Sequence, residues 1–190
     1  MPTPLEIAVL IGSLRKDSLT KKVAHAVIEY APSSIHCTLP EIGDLPLYNQ
    51  DLEDNVPPAW SRFRAEIARA RAVLFLTPEY NRSIPACLKN AIDVGSRPEG
   101  KNVFDGLPAG VISVTPYKMG AFGANHILRQ SLVFLNMPVM QQPEAYIGGA
   151  GDLFDEHGTL KNEETKKFLT QFMDAFTHWG TMIATATATG

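Results

Sequence analysis

Hydroxyl groups and one guanidinium follow directly after the first apolar run of the chain. Residues 7–11 are all apolar, which is typical of a strand buried on both faces. After Gly12 comes a loop that carries Ser13, Arg15, Ser18 and Thr20. A helical pattern begins at once after this loop, so backbone N–H groups and the positive end of a helix dipole should meet at a point where anions bind. Arg15 adds a planar fork of donors that matches a phosphate.

A simpler interpretation of this loop is that Ser18 only caps the helix and Arg15 is a solvated surface residue. The loop is neither G-x-x-x-x-G-K-[ST] nor G-x-G-x-x-G, which disfavours P-loop nucleotide hydrolysis and Rossmann dinucleotide binding. A hydroxyl-lined loop after a first strand instead suits a phosphate monoester, such as the end of a flavin mononucleotide (FMN).

The predicted buried strand at 72–77 runs directly into a second polar loop, TPEYNRSIP, which includes Thr77 and extends to residue 85. Residues 80–82 offer an aromatic edge, an amide and a cation, and the backbone groups between the two prolines suit the polar edge of a flavin ring. Glu79 is expected to make a backbone contact or a structural salt bridge rather than to bind an anionic ring. The alternative is an ordinary strand-to-helix turn with Ser83 as the helix cap.

A third loop, PYKMGAFG at residues 116–123, follows the predicted buried strand at 107–115. Its glycines Gly120 and Gly123 would allow the backbone to approach a flat ring closely. Ser113 and Thr115 can also be plain strand residues.

Strand and helix patterns alternate five times, which predicts a doubly wound parallel sheet with helices on both faces. The remaining strands are expected at 34–39 and from 138–140 onward. The second helix is expected to begin near Ala59, the third near Pro85, and the fourth to end near Asn136. The last helix is expected to span about 163–179, and the tail 181–190 is expected to be frayed. In such sheets ligands bind beyond the carboxyl ends of the strands, where the three loops converge.

Composition sets the class of protein. The chain has 190 residues, 45% hydrophobic and 19% charged, which predicts one globular domain spanning residues 1–190. A net charge of −3 disfavours nucleic acid or an anionic membrane as a partner. No membrane span is expected, and residues 1–6 do not have the pattern of a signal peptide. The two cysteines form no C-x-x-C, which favours a reducing cytoplasm, and the five histidines show no metal-ligand spacing.

No side chain has the pattern of a catalytic nucleophile beside its base. Cys87 falls within a predicted helix and is expected to be buried and inert, and His126 is expected at a helix surface or an interface. Any difficult chemistry is therefore expected to come from a cofactor.

Four segments together resemble one family, the NADPH-dependent FMN reductases, which are flavodoxin-like quinone, chromate and azo-dye reductases. The segments are GSLRKDSLTKKVA, LPLYNQDLE, TPEYNRSIPACLKNAID and LRQSLVFLNMPVMQQPEAY. The resemblance covers most of residues 7–147. It implies a flavodoxin-like five-stranded sheet, bound FMN, NADPH or NADH as electron donor, and a quinone or similar small acceptor reduced by a ping-pong mechanism.

The resemblance also implies a set of cofactor-binding residues. These are Ser13, Arg15, Ser18, Leu19 and Thr20 around the phosphate, Pro78, Glu79, Tyr80, Asn81 and Arg82 along the isoalloxazine ring, and Ser113 nearby. Many relatives have Asn in place of Thr20, an aromatic residue in place of Arg82 and more glycine in the third loop, so the acceptor side of the ring should differ here. Two other classes remain: a flavodoxin-type electron carrier that docks a protein partner, which the weak net charge disfavours, and a flavin-binding regulatory module.

A homo-oligomer is expected as well. The long connection 40–58 and the pair Trp60 and Phe63 are more apolar than a free surface needs, and relatives resembling this chain form dimers or pairs of dimers. Glu144 matches a residue that joins dimers in some relatives, but His126 and Gly123 replace the Tyr and Arg expected beside it. This pattern favours a homodimer over a homotetramer.

Overall fold

Five parallel strands form one sheet in the computed structural model, which describes residues 4–188. The strands are β1 (Leu5–Ile11), β2 (Ile35–Thr38), β3 (Ala72–Thr77), β4 (Ala109–Val114) and β5 (Ala145–Ile147). Their order in the sheet is β2-β1-β3-β4-β5, and β1 pairs in parallel with both β2 and β3. The direction of strand addition therefore switches between β1 and β3, which is the flavodoxin-like order. The predicted fold class is confirmed.

Helices cover both faces of this sheet. They are α1 (Leu19–Glu29), α2 (Pro58–Arg69), α3 (Ala86–Gly95), α4 (Phe122–Phe134) and α5 (Glu163–Ala188), with two short 3₁₀ turns at Gln50–Leu52 and Ala150–Asp152. One core packs α1 and α5 on the sheet, and the other packs α2, α3 and α4 on the opposite face. Neighbouring residues of each central strand, such as Leu74 and Phe75 of β3, enter opposite cores, so these strands are mostly apolar. None of the helices in the described range is long and apolar enough to cross a bilayer.

The fifth strand does not begin at the predicted residues 138–140. Val139 forms only an isolated bridge with Ala109, and the carbonyl of Met140 accepts a hydrogen bond from Arg129 Nη1 at 2.9 Å. The strand that pairs with the end of β4 is Ala145–Ile147. Residues 138–140 therefore contact only the start of β4. The chain pairs with the end of β4 later, through β5.

The last helix continues to Ala188, so the expectation of a frayed tail is wrong for the described residues; Thr189 and Gly190 lie outside them. Gly180 lets α5 pack closely on the sheet, since a Cβ there would lie 3.0 Å from Leu5 Cδ2. Threonine hydroxyls along the helix donate to the carbonyl four residues earlier, for example Thr181 to Thr177 at 2.8 Å.

Trp60 and Phe63 lie on the buried face of α2 and are fully buried, so they do not form the apolar surface expected of them. The indole of Trp60 donates to the Pro46 carbonyl at 2.9 Å and thereby fixes the long connection after β2. Asn90 of α3 fixes it further, donating to the Leu45 and Pro46 carbonyls and accepting from the Tyr48 amide.

The inward face of α4 includes a polar side chain. Ala124, Leu128 and Leu132 are buried there and Asn125 is fully buried beside them, whereas Ile127 is exposed.

Candidate functional site

A cleft of about 560 Å³ opens beyond the carboxyl ends of β1, β3 and β4. It is lined by Ser13, Arg15, Ser18, Leu19, Thr20, Pro78, Glu79, Tyr80, Asn81, Arg82, Val114, Thr115, Pro116, Tyr117, Met119 and Ala121. The structure thus brings together every residue predicted for the site except Ser113. The cleft lies at the β1/β3 switch point, where ligands of doubly wound sheets bind.

The first loop leaves β1 through a tight contact with its neighbours. The Gly12 amide donates to the Leu76 carbonyl at 2.8 Å, and a Cβ on Gly12 would lie 3.0 Å from Leu88 Cδ2. A side chain at this position would force Leu88 of α3 to shift, so glycine suits this close approach.

Ser18 caps α1 and also lines the cleft, so the two interpretations of this residue are compatible. Its hydroxyl accepts from the Lys21 amide at 3.2 Å. The amides of Leu19 and Thr20, in the first turn, have no acceptor within the helix. These amides and the positive helix end lie at one side of the cleft.

The second loop is a two-residue hairpin turn. The Tyr80 amide donates to the Ser83 carbonyl at 2.9 Å, the Ser83 amide donates back at 3.0 Å, and Asn81 and Arg82 both have positive φ, 52° and 65°. This is the backbone pattern of a type I′ turn, for which Asn followed by Gly is favoured. Ser83 does not cap the next helix, because α3 begins after Pro85 without a side-chain cap.

Glu79 forms the structural salt bridge expected of it. Its carboxylate accepts from Arg82 Nη1 at 3.2 Å and from the Ala124 amide in the first turn of α4 at 3.1 Å. A Cβ on Gly123 would lie 3.0 Å from Glu79 Oε2, so Gly123 makes room for this contact.

The expectation that the third-loop glycines face a flat ring is wrong. Gly123 contacts Glu79, and Gly120 lies against Tyr146, where a Cβ would come within 2.6 Å of Tyr146 Cβ. Gly120 has φ of 61°, and its glycine identity is explained by this conformation and this contact.

Ser113 lies beneath the third loop and does not line the cleft. It is fully buried, and its hydroxyl donates to the Gly120 carbonyl at 2.6 Å and accepts from Asn125 Nδ2 at 3.1 Å. Arg129 Nε in turn donates to Asn125 Oδ1 at 2.9 Å. The predicted cofactor contact of Ser113 is therefore replaced by a structural role, because the hydroxyl is used to hold the loop.

Comparison with known proteins identifies the family. The model of the NADPH-dependent FMN reductases matches residues 5–152, which include all three loops of the cleft. The chain belongs to this family.

Curated relatives and a solved structure agree with this FMN reductase assignment. A quinone reductase of Pseudomonas putida is 61% identical over 174 residues, covering 91% of this chain and 93% of the relative. A 2-hydroxy-1,4-benzoquinone reductase of a Burkholderia species is 42% identical over 175 residues, covering 92% and 96%. The structure of FerB, a flavoenzyme NAD(P)H:(acceptor) oxidoreductase from Paracoccus denitrificans, superposes with a TM-score of 0.89 at 41% identity, covering 94% of this chain and 98% of FerB. The predicted family, the oxidoreductase class and the use of FMN with NAD(P)H are confirmed.

The donors in the first loop of this FMN reductase fit a phosphate monoester. Ser13 and Thr20 are only 4% and 2% exposed, and their hydroxyls line the cleft without a partner within residues 4–188. The guanidinium of Arg15 is exposed and forms no ion pair in the same range. Two hydroxyls, a helix N-terminus and an unpaired guanidinium are the groups that bind a phosphate dianion.

Sequence reasoning missed most of the third-loop lining. Tyr117 and Met119 are 76% and 62% exposed and line the cleft. The amide of Gly149 donates to the Tyr117 carbonyl at 3.2 Å, and the amide of Ala150 donates to Thr115 at 3.0 Å. Contacts with a distant segment thus orient this loop, and the local sequence pattern carries no signal for them.

The residues set aside as non-catalytic lie outside the cleft. Cys87 is half-buried, and burial raises the pKa of its thiol, which keeps it in the unreactive protonated form. His126 is exposed on α4, where its Nε2 lies 3.0 Å from the hydroxyl of Tyr146.

Proposed function

We propose that this chain is an FMN-containing reductase that transfers electrons from NADPH or NADH to quinones. The observation that carries the proposal is the cleft itself, in which an anion-binding loop and a ring-sized slot adjoin at the switch point of the sheet. The quinone reductase of Pseudomonas putida supports the quinone as acceptor.

The roles of the residues follow from their positions. Ser13, Arg15 and the first turn of α1 hold the phosphate, and the hairpin and the third loop border the ring. FMN, when bound by these residues, would supply the two-electron chemistry between the nucleotide and the acceptor. No side chain of the cleft is assigned as an acid, base or nucleophile.

The order of binding follows from the shape of the cleft. The cleft opens to solvent on the side that is lined by the exposed side chains Tyr80, Tyr117 and Met119. The nucleotide and the quinone must therefore use the same open side in turn. This arrangement supports ping-pong kinetics, in which the oxidised nucleotide leaves before the quinone binds.

The test is an assay of purified protein loaded with FMN. It should be yellow, oxidise NADPH or NADH only when a quinone is present, and give parallel double-reciprocal plots when the concentrations of both substrates are varied. Protein that binds no FMN and oxidises no nicotinamide nucleotide would refute the proposal. Reduction of the flavin without turnover of small quinones would instead point to an electron carrier.

Assembly and location are part of the same proposal. We infer a homodimer, supported by the apolar exposed side chains Val133 and Phe134 on α4. The Glu144 carboxylate accepts from the Tyr146 hydroxyl of the same chain at 2.9 Å. Because this carboxylate already has a partner within the chain, the contact supports a dimer over a tetramer joined through Glu144.

One sheet carrying both cores supports a single domain over residues 1–190. Two free thiols support a location in the cytoplasm.

A further inference from the structure

We propose that Arg82 selects acceptors with a negative charge on the ring, such as ionised hydroxyquinones, over neutral quinones of similar size. This inference rests on the reductase function proposed above and names the substrate class of the same cleft. Arg82 lines the cleft at its rim, and its side chain is 74% exposed and therefore open to an incoming ligand.

The backbone of Arg82 is the first argument. With φ of 65° it occupies the second central position of the hairpin turn between Tyr80 and Ser83. Glycine adopts this conformation without strain, whereas a residue with a Cβ does so at a conformational cost. Strain of this kind is concentrated at functional sites, so the side chain of Arg82 has a use beyond forming the turn.

The charge around Arg82 is the second argument. Its only ion-pair partner within residues 4–188 is Glu79, and that carboxylate also accepts from the amide of Ala124 in the first turn of α4. The helix N-terminus contributes about half a positive charge. Glu79 is thus offset by two positive groups, and the rim keeps an excess of positive charge.

The free donors of Arg82 are the third argument. Nη1 faces Glu79 and lies 4.0 Å from Met119 Sδ, which places the guanidinium between the second and third loops. Nε and Nη2 have no partner among the described residues. An ionised hydroxyquinone carries negative charge on a ring oxygen that lies next to a carbonyl oxygen, and these two neighbouring oxygens can accept from two donors of one guanidinium.

The surroundings favour the acceptor over the nucleotide as the partner of Arg82. Tyr80, Tyr117 and Met119 are 46%, 76% and 62% exposed and form an apolar part of the rim of the cleft that Arg82 also lines. The charged oxygen of a hydroxyquinone is attached to the ring itself, so it stays beside this rim when the ring is in the slot. The phosphates of NADPH are separated from the nicotinamide by a ribose and extend away from the ring.

The reaction is unchanged by this selectivity. NADPH gives up a hydride, water supplies one proton, and the quinone gains two electrons and two protons to become the hydroquinone. Arg82 neutralises the charge of the bound acceptor and takes no part in the electron count.

The experiment compares 2-hydroxy-1,4-naphthoquinone, which is ionised at neutral pH, with the neutral 2-methyl-1,4-naphthoquinone. FMN-loaded wild type, Arg82→Gln and Arg82→Gly are assayed at saturating NADPH, with Arg69→Gln as a control that removes an exposed charge from α2. The kcat/KM of each variant is divided by that of wild type for the same quinone, so that the difference in reduction potential between the two quinones cancels. Dissociation constants for both quinones, from fluorescence quenching of oxidised protein without NADPH, give a second readout.

Both Arg82 variants should lower kcat/KM and weaken binding for the hydroxyquinone by about threefold to tenfold, and change the methylquinone by less than about twofold. Arg82→Gly relieves the backbone, so a loss in this variant reports the missing charge. Equal losses on both quinones, or no loss on the hydroxyquinone, would overturn the inference and leave the reductase function intact. Failure of wild type to reduce either quinone would overturn the proposed function and the inference with it.

Discussion

At the scale of single residues, Arg15 carries the most specific expectation. Its guanidinium is exposed at the cleft and unpaired within residues 4–188. Arg15→Ala removes a charge-assisted contact with the FMN phosphate, which is worth about 1.5–3 kcal/mol and corresponds to roughly a tenfold to hundredfold loss of affinity. Riboflavin, which lacks the phosphate, should bind wild type weakly and lose little more in the variant. Fluorescence titration with both flavins measures the two effects.

The neighbouring Lys16 supplies a matched control, since it is also exposed but does not line the cleft. Lys16→Ala should leave FMN affinity within about twofold of wild type, because an exposed charge that does not line the cleft contributes little. The fold should survive both substitutions, as neither side chain packs in a core. Equal losses for FMN and riboflavin in Arg15→Ala, or no loss for FMN, would mean that the phosphate is held elsewhere.

At the scale of elements, prediction from sequence succeeds where burial alone decides the structure. The strand β3 has the predicted bounds, because both of its faces are covered and five of its six residues are apolar. The positions of the three loops follow from strands of this kind. Prediction fails where a distant partner decides: Arg129 takes the Met140 carbonyl away from strand pairing, and Gly149 orients Tyr117. Neither contact leaves a periodic pattern in the chain.

The long connection between β2 and α2 depends on one side chain of α3. Asn90 is 7% exposed and makes hydrogen bonds with the backbone of Leu45, Pro46 and Tyr48. Asn90→Ala should lower the free energy of unfolding by about 2 kcal/mol, because buried backbone groups lose their partners. Urea unfolding measures this change, and proteolysis should become faster within residues 40–57.

Asn55 is exposed in the same connection, so Asn55→Ala should change the free energy of unfolding by less than about 0.5 kcal/mol. If Asn90→Ala were as stable as this control, the connection would be held by the Trp60 contact alone.

Tyr146, which lies in β5 and contacts α4, predicts that the stability of the fold depends on pH. Burial, and then the hydrogen bond and charge of Glu144, raise the pKa of Tyr146 from its ordinary value near 10 to about 12. Because the folded-state pKa lies above the unfolded one, the neutral phenol stabilises the fold below about pH 10, and this contribution is lost as the pH rises toward 12.

Ultraviolet titration of tyrosinate should therefore show a transition near pH 12 that Tyr146→Phe removes and Glu144→Gln moves to lower pH. Tyr117→Phe should leave that transition in place. Loss of the transition in Tyr117→Phe, or its persistence in Tyr146→Phe, would assign it to another tyrosine.

At the scale of the whole molecule, α4 is the helix whose exposed face is least suited to water. Its inner face is buried by Ala124, Leu128 and Leu132, yet Val133 and Phe134 on the outer side are 71% and 89% exposed. A helix that is apolar on both sides is normally covered on both sides. The apolar surface that the sequence assigns to Trp60 and Phe63 thus lies on α4 instead.

A second copy of the chain is the proposed cover, and substitution of both exposed residues tests it. Val133→Lys with Phe134→Lys should convert the dimer into a monomer in sedimentation velocity at micromolar concentration, because two buried cations per protomer would lack partners. Lysine is chosen because a cation near the end of α4 is favourable to the helix dipole, so the monomer should remain folded. Ala65→Lys, which adds a cation to the exposed side of α2, should leave the assembly intact. A wild-type monomer would refute the oligomer, and a double variant that stays dimeric would place the interface on another surface.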